Sequence, residues 1–210
     1  MSINNYAQLN DMHMDVLKEI GNIGAGNATT ALSQMLDRRI EMEPPIVRLT
    51  PLSEITHALG GPENMVVGIL TTLSGDIKGM MMFVLEQIFA HQIINQLLQR
   101  DIQSYEDMND MDFSVLREIG NIMAGSYVTA ISSLTGLQIE LSVPSICIDM
   151  AGAIMSVPAV AFGTLGDYAL YVEEDIRNNS HTDKSLRSRL LLIPDIESLN
   201  RIMSSLGLGA

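Results

Sequence analysis

The sequence has one cysteine, Cys147, and no tryptophan. A single thiol closes no internal disulfide and supplies no Cys-rich metal site, and it suits the reducing cytoplasm. Aromatic residues are only 4% of the chain, too few for a platform on which single-stranded nucleic acid would stack. Cations are also scarce. Against 25 Asp and Glu stand 12 Lys and Arg, and the net charge of −13 disfavours nucleic acid or an anionic membrane surface as partner. The amino-terminal MSINNYAQLNDMHMD lacks a basic start leading into an apolar run, so no signal peptide is expected. The uncharged stretch 150–166 is short for a membrane span of about 20 residues. It carries Pro158 and three glycines, and it reads as buried helix and turn rather than as a membrane insertion.

Apolar residues make up 47% of the 210, with 18% charged, so wholesale disorder is excluded and a substantial core is affordable. The chain also repeats itself. Residues 15–26 read DVLKEIGNIGAG and residues 114–125 read SVLREIGNIMAG. Nine of these twelve positions are identical, and the offset of 99 persists through Thr30/Thr129, Ser33/Ser132, Ile40/Ile139 and Pro45/Pro144. Because the matched residues are diverse, duplication rather than low complexity explains them.

Hydrophobic spacing divides each half in the same way. Long helices are expected over 9–36 and 108–135, the second ending at Gly136. Strands follow near 46–50 and 145–149, short helices over 53–60 and 151–162, and strand pairs over 65–74 with 77–86 and over 167–176 with 186–193. Ser74-Gly75-Asp76 is the expected turn of the first pair, and the polar stretch 177–184 joins the second. Helices over 87–99 and 195–206 close the halves, 9–99 and 108–206, and the acidic segment 100–110 connects them. The fold class expected is α+β: one domain over 1–210 with pseudo-two-fold symmetry. Its two αβαββα-like halves share one mixed or antiparallel sheet, with both long helices on one face.

On a helix of about 3.6 residues per turn, Asp15, Glu19, Asn22 and Gly26 fall within about 60° of one another. Val16, Ile20, Ile23, Gly24 and Ala31 lie on the other side, towards a core. Ser114, Glu118, Asn121 and Gly125 repeat the stripe, backed by Val115, Ile119, Ile122, Met123 and Ala130. A lone exposed Glu and Asn would be an ordinary solvated face. Here the pair recurs at the same place in the repeat, and Asn is a mediocre helix former that structure alone does not require twice. Glycine inside a helix costs up to about 1 kcal/mol relative to Ala. Close packing repays that at Gly21 and Gly24, but Gly26 lies on the exposed stripe, where a missing side chain lets another surface approach.

Other constellations are weaker. GNIGAG lies within a helical pattern and not between a strand and a helix, which disfavours dinucleotide binding. The four histidines, His13, His57, His91 and His181, have no metal-ligand spacing, and no serine sits in a G-x-S-x-G elbow. Met80-Met81-Met82 reads as core filling on a strand.

The pattern [D/S]-x-x-x-E-x-x-N-x-x-x-G, present twice, resembles the CheC/CheX/FliY family of chemotaxis phosphatases. The length and two-motif layout are similar to its CheC-type members. The resemblance implies hydrolysis of the aspartyl phosphate on the response regulator CheY. It assigns catalysis to Glu19 with Asn22 and to Glu118 with Asn121. In the family the Glu anchors the regulator's active-site lysine and the Asn orients the attacking water. Asp15, Gly26, Ser114 and Gly125 would support, and Mg²⁺ would be held by the regulator, leaving this chain without metal or cofactor of its own. The resemblance also implies binding of the receptor deamidase CheD, expected around Asp149, Met150, Ala151 and Gly152. A rival reading makes the chain a non-catalytic adaptor that regulates CheD or a switch-complex scaffold, with the stripes used only for docking. With two half-units in one chain, a monomer is the economical expectation.

Overall fold

Two asparagines start the two longest helices. The Asn10 side chain accepts from the His13 amide at 3.0 Å while His13 Nδ1 accepts from the Asn10 amide at 3.2 Å, and α1 runs over Asp11–Met35. Ninety-nine residues on, Asn109 accepts from the Met111 amide at 2.9 Å, and Asp112 accepts from the Asn109 amide at 2.8 Å. Helix α4 then runs over Asp110–Thr135 and stops at Gly136, whose φ of 73° is the left-handed cap that glycine adopts most readily. The computed structural model describes residues 3–162, 168–178 and 186–209.

The remaining elements are β1 (Ile40–Met42), β2 (Ile46–Pro51), α2 (Leu52–Ala58), β3 (Met65–Gly75), β4 (Gly79–Glu86) and α3 (Gln87–Leu98) in the first half. The second half has β5 (Ile139–Leu141), β6 (Ser145–Met150), α5 (Ala151–Phe162), β7 (Tyr168–Asn178), β8 (Leu186–Pro194) and α6 (Ile196–Ser205). All eight strands form one antiparallel sheet in the order β1-β7-β8-β4-β3-β5, with β2 also on β7 and β6 also on β3. The halves therefore exchange strands. The first half's β1 and β2 pair with the second half's β7, the second half's β5 and β6 pair with the first half's β3, and β4 meets β8 at the centre.

Both faces of this sheet are covered, which explains its nearly unbroken apolar strands. Ile69, Met81, Phe83, Leu85, Val172 and Leu190 point towards α1, α3, α4 and α6. Val66, Met80, Met82, Val84, Leu191 and Ile193 point towards α2 and α5. Met80, Met81 and Met82 thus fill core on both sides, each buried side chain stabilising by about 1.5–3 kcal/mol. Of the run 150–166, Met150 ends β6 and Ala151–Phe162 form α5, with Pro158 inside the helix, and 163–166 lie outside the described residues. Among the described residues no helix is long and apolar enough to cross a membrane.

Three expectations need correction. Each half is αββαββα, because the short strands β1 and β5 precede β2 and β6. The turn of the first hairpin is wider than Ser74-Gly75-Asp76, spanning 74–78. Ser74 and Gly75 still pair with Glu140 and Ile139 of β5, so β3 continues and the partner of Leu73 is Gly79. The strand expected to stop at 176 continues as β7 through Asn178, held by β1, and the rest of the expected loop 177–184 lies outside the described residues.

The segment read as a connector also belongs to the repeat. Ile102, Tyr105 and Asn109 match Ile3, Tyr6 and Asn10 at the same offset, and both segments carry a single 3₁₀ turn. In α3 the Asn95 carboxamide accepts from the Ile102 amide at 2.7 Å and donates to its carbonyl at 2.9 Å. In α6 the Asn200 carboxamide does the same to Ile3, at 2.8 and 2.7 Å. The closing helix of each half thus clamps the entry of the other.

Candidate functional site

The two long helices pack against each other, and their glycines set how closely. A Cβ on Gly24 would overlap the ring of Tyr127 from α4, one on Gly21 would overlap Val47 of β2, and one on Gly120 would overlap Ile69 of β3. Tyr127 is wholly buried, and its hydroxyl donates to Glu174 of β7. Burial, reinforced by the carboxylate beside it, pushes that phenol well above its usual range.

On the outer side, Asp15, Glu19, Asn22 and Gly26 are all exposed, as are Ser114, Glu118 and Asn121, with Gly125 half-buried. Ile20, Gly24, Ile119, Met123 and Ala130 are buried and Val16, Ile23, Ala31, Val115 and Ile122 half-buried, as the helical spacing predicts. Each helix therefore presents a carboxylate and, about one turn further on, a carboxamide, both directed away from the core. Beyond each pair lies open space, since a Cβ on Gly26 or Gly125 would meet nothing within 4 Å. The two copies differ at the first position. Asp15 forms an exposed ion pair with Lys18 at 3.0 Å, worth little in water, whereas the Ser114 hydroxyl donates back to the Asp110 carbonyl at 2.8 Å.

The glycines give a stability test. Gly24→Ala should destabilise by about 1–3 kcal/mol, because overlap with a buried ring outweighs the helical gain of about 1 kcal/mol. Gly26→Ala and Gly125→Ala should be neutral or stabilising by up to about 1 kcal/mol. Thermal unfolding of the three variants checks this, and equal melting temperatures would contradict it.

The second predicted cluster is divided by the fold. Asp149 is half-buried near the end of β6, and its Oδ1 accepts from the amide of its neighbour Met150 at 2.7 Å. Met150 is exposed, Gly152 half-buried and Ala151 fully buried, its amide bound to the Asn64 carbonyl at 2.8 Å. Only part of that run is surface.

Of the histidines, His13 caps α1, His91 is buried edge-on against Tyr105, His57 is exposed at the end of α2, and His181 lies outside the described residues. Burial lowers the pKa of His91. Among the described residues, no three His, Cys, Asp or Glu side chains converge as a metal ion would require.

A sequence model of the CheC-like family matches residues 12–48 and 111–148, the two motif helices with the strands that follow them. The CheY-P phosphatase CheC of Bacillus subtilis is 36% identical over 201 residues, spanning 95% of this chain and 96% of that protein. Among solved structures, FliY of Thermotoga maritima superposes with a TM-score of 0.72 at 21% identity, over 95% of this chain and 98% of that one. CheX, crystallised with CheY, BeF₃ and Mg²⁺ from Borrelia burgdorferi, reaches a TM-score of 0.51 at 16% identity, over 81% of this chain and 94% of that one.

Proposed function

Because the chain belongs to the CheC-like family, we propose that it is a protein phosphatase that hydrolyses the aspartyl phosphate of the response regulator CheY. The observation that carries this reading is the duplicated, outward-facing Glu/Asn pair. A relative of nearly the same length named as a CheY-P phosphatase supports it.

Glu19 or Glu118 pairs with the regulator's active-site lysine, and desolvation of that pair on docking fixes the register of the complex. Asn22 or Asn121 then enters the regulator's site and holds a water in line with the phosphorus. An uncharged amide is no base near neutral pH, but it donates and accepts hydrogen bonds and so can orient a water. The water oxygen bonds to phosphorus, the bond to the aspartyl oxygen breaks, and inorganic phosphate leaves with the carboxylate restored. The leaving group is already good, so what remains to be supplied is orientation, which can remove several kcal/mol of barrier. The regulator's own carboxylates would hold Mg²⁺, which would supply neutralisation of charge on the phosphoryl oxygens. The proposal includes binding of CheD at exposed Met150 and half-buried Asp149 and Gly152, with Ala151 acting from beneath as packing.

The test is release of phosphate from phosphorylated CheY, with and without the chain, alongside CheD capture. The chain should accelerate release severalfold or more, and Asp149→Lys should weaken CheD capture while leaving release intact. A regulator that decays at its own rate in the presence of the chain would leave only a docking scaffold. Loss of release in Asp149→Lys with capture intact would overturn the CheD assignment.

A further inference from the structure

Among the described residues nine large apolar side chains are exposed, and two of them, Met12 and Met111, occupy the same place in the repeat. They are 62% and 60% exposed. The others have no such partner: at the same offset, Ile46 meets Ser145, Val143 meets Pro44 and Met150 meets Pro51. The identity between copies extends upstream of the Glu/Asn motif and includes Asp11-Met12 matching Asp110-Met111. The fold does not use these methionines. They stand in the first turns of α1 and α4, where the capping bonds run from the side chains of Asn10, His13, Asn109 and Asp112 and involve none of the methionine side chain.

Their direction is informative. Seven residues separate Met12 from Glu19 and Met111 from Glu118, close to two full turns, so each methionine lies within about 20° of its glutamate around the helix. Each stripe therefore reads Met, Asp or Ser, Glu, Asn, with Asp15 or Ser114 between the methionine and the glutamate. The methionine stands about 10 Å before the glutamate, and the asparagine about 5 Å after it. An apolar contact on the same face as a charged anchor, preserved at both positions, is what a docked protein surface needs, and methionine is an adaptable side chain for it.

We infer that Met12 and Met111 are the apolar docking contacts for the same response regulator that each Glu/Asn pair engages. The inference rests on the proposed phosphatase reading for its choice of partner. It also specifies that partner's surface: an apolar patch about 10 Å from the active-site lysine, on the side of it away from the acyl phosphate. The contact acts on binding and leaves the attacking water untouched.

The experiment measures phosphate release over a range of phosphorylated-regulator concentrations, and equilibrium binding of the regulator charged with beryllofluoride and Mg²⁺. Parent, Met12→Ala/Met111→Ala and Met12→Gln/Met111→Gln proteins are compared, each checked by thermal unfolding and sedimentation. Loss of an anchor of this size should raise KM and Kd about tenfold for alanine. Glutamine, similar in length but polar, should do likewise, with kcat within about twofold and melting temperature unchanged. Unchanged KM and Kd would overturn the inference. So would a fall in kcat at constant KM, or a change in mass showing that the methionines join copies of the chain. If the parent binds the charged regulator without releasing phosphate, the phosphatase reading fails while Kd still decides the docking contact.

Discussion

Replacing Asn22 and Asn121 together with alanine is expected to return dephosphorylation of the regulator close to its own rate, a loss of about 10²–10³ in the acceleration conferred by the chain. On the proposed mechanism each carboxamide can both donate to and accept from a water, whereas the neighbouring carboxylate is engaged with lysine and the Ser114 hydroxyl spends its proton on the Asp110 carbonyl. Alanine leaves the glutamates in place, so the charged regulator should still bind. The loss should therefore fall on kcat with KM little changed. Unfolding cannot account for such a loss. Both asparagines are exposed, and alanine at an exposed helical position is neutral or stabilising by several tenths of a kcal/mol. The decisive measurement is single-turnover decay of phosphorylated regulator at saturating chain. A double variant that retained the acceleration would dismiss the amides as water-orienting groups. Single variants should each keep the activity of the untouched centre, because the pairs stand on different helices.

The division of labour within these helices was legible from one property, the angle between residues. Spacing by about 3.6 residues put Glu19 and Asn22 on one arc and Ile20 and Gly24 on another, and the exposures agree. Duplication then did what a single sequence rarely allows, because a surface residue met twice at one offset is constrained by something. Applied further upstream, the same logic would have found Met12 with Met111, and Tyr105 with Tyr6 in the apparent connector. The strand exchange was not legible. Alternating or continuous apolar runs say whether a strand has one covered face or two, and nothing about which strand lies alongside. The pairing of β2 with β7 rather than with its own half is settled by packing across the whole sheet. Nor did periodicity distinguish Ala151, buried under a loop carbonyl, from its exposed neighbour Met150. Pairs of residues distant in sequence, such as Tyr127 with Glu174, were invisible for the same reason.

That last pair breaks the symmetry of the repeat, and it leads to a large expected effect on stability. Where Tyr127 and Glu174 meet, the first half has Ala28 in α1 and Thr71 in β3, so only one half buries a carboxyl under the motif helices. Glu174 is fully buried. One oxygen accepts from Tyr127, the Ser188 hydroxyl lies across the β7–β8 pair without a well-formed bond to the other, and burial pushes the carboxyl up from 4.5 to about 7 despite the opposing pull of both hydroxyls. A carboxyl with a raised pKa in the folded state favours folding fully below the unfolded value and loses that contribution as pH rises through the folded one. The parent should therefore lose about 2–3 kcal/mol between pH 5 and pH 8 from this residue alone. Glu174→Gln keeps the shape and removes the charge, so its stability should hardly change over the same interval from this source. Denaturant unfolding of both proteins at the two pH values measures the difference directly, and parallel pH profiles would show that the carboxyl is not held protonated. The consequence reaches the site because the Tyr127 ring is what Gly24 packs against. Tyr127 itself belongs to α4, which carries the second centre, and its ring seats Gly24 of α1, which carries the first, so ionisation of Glu174 bears on both motif helices.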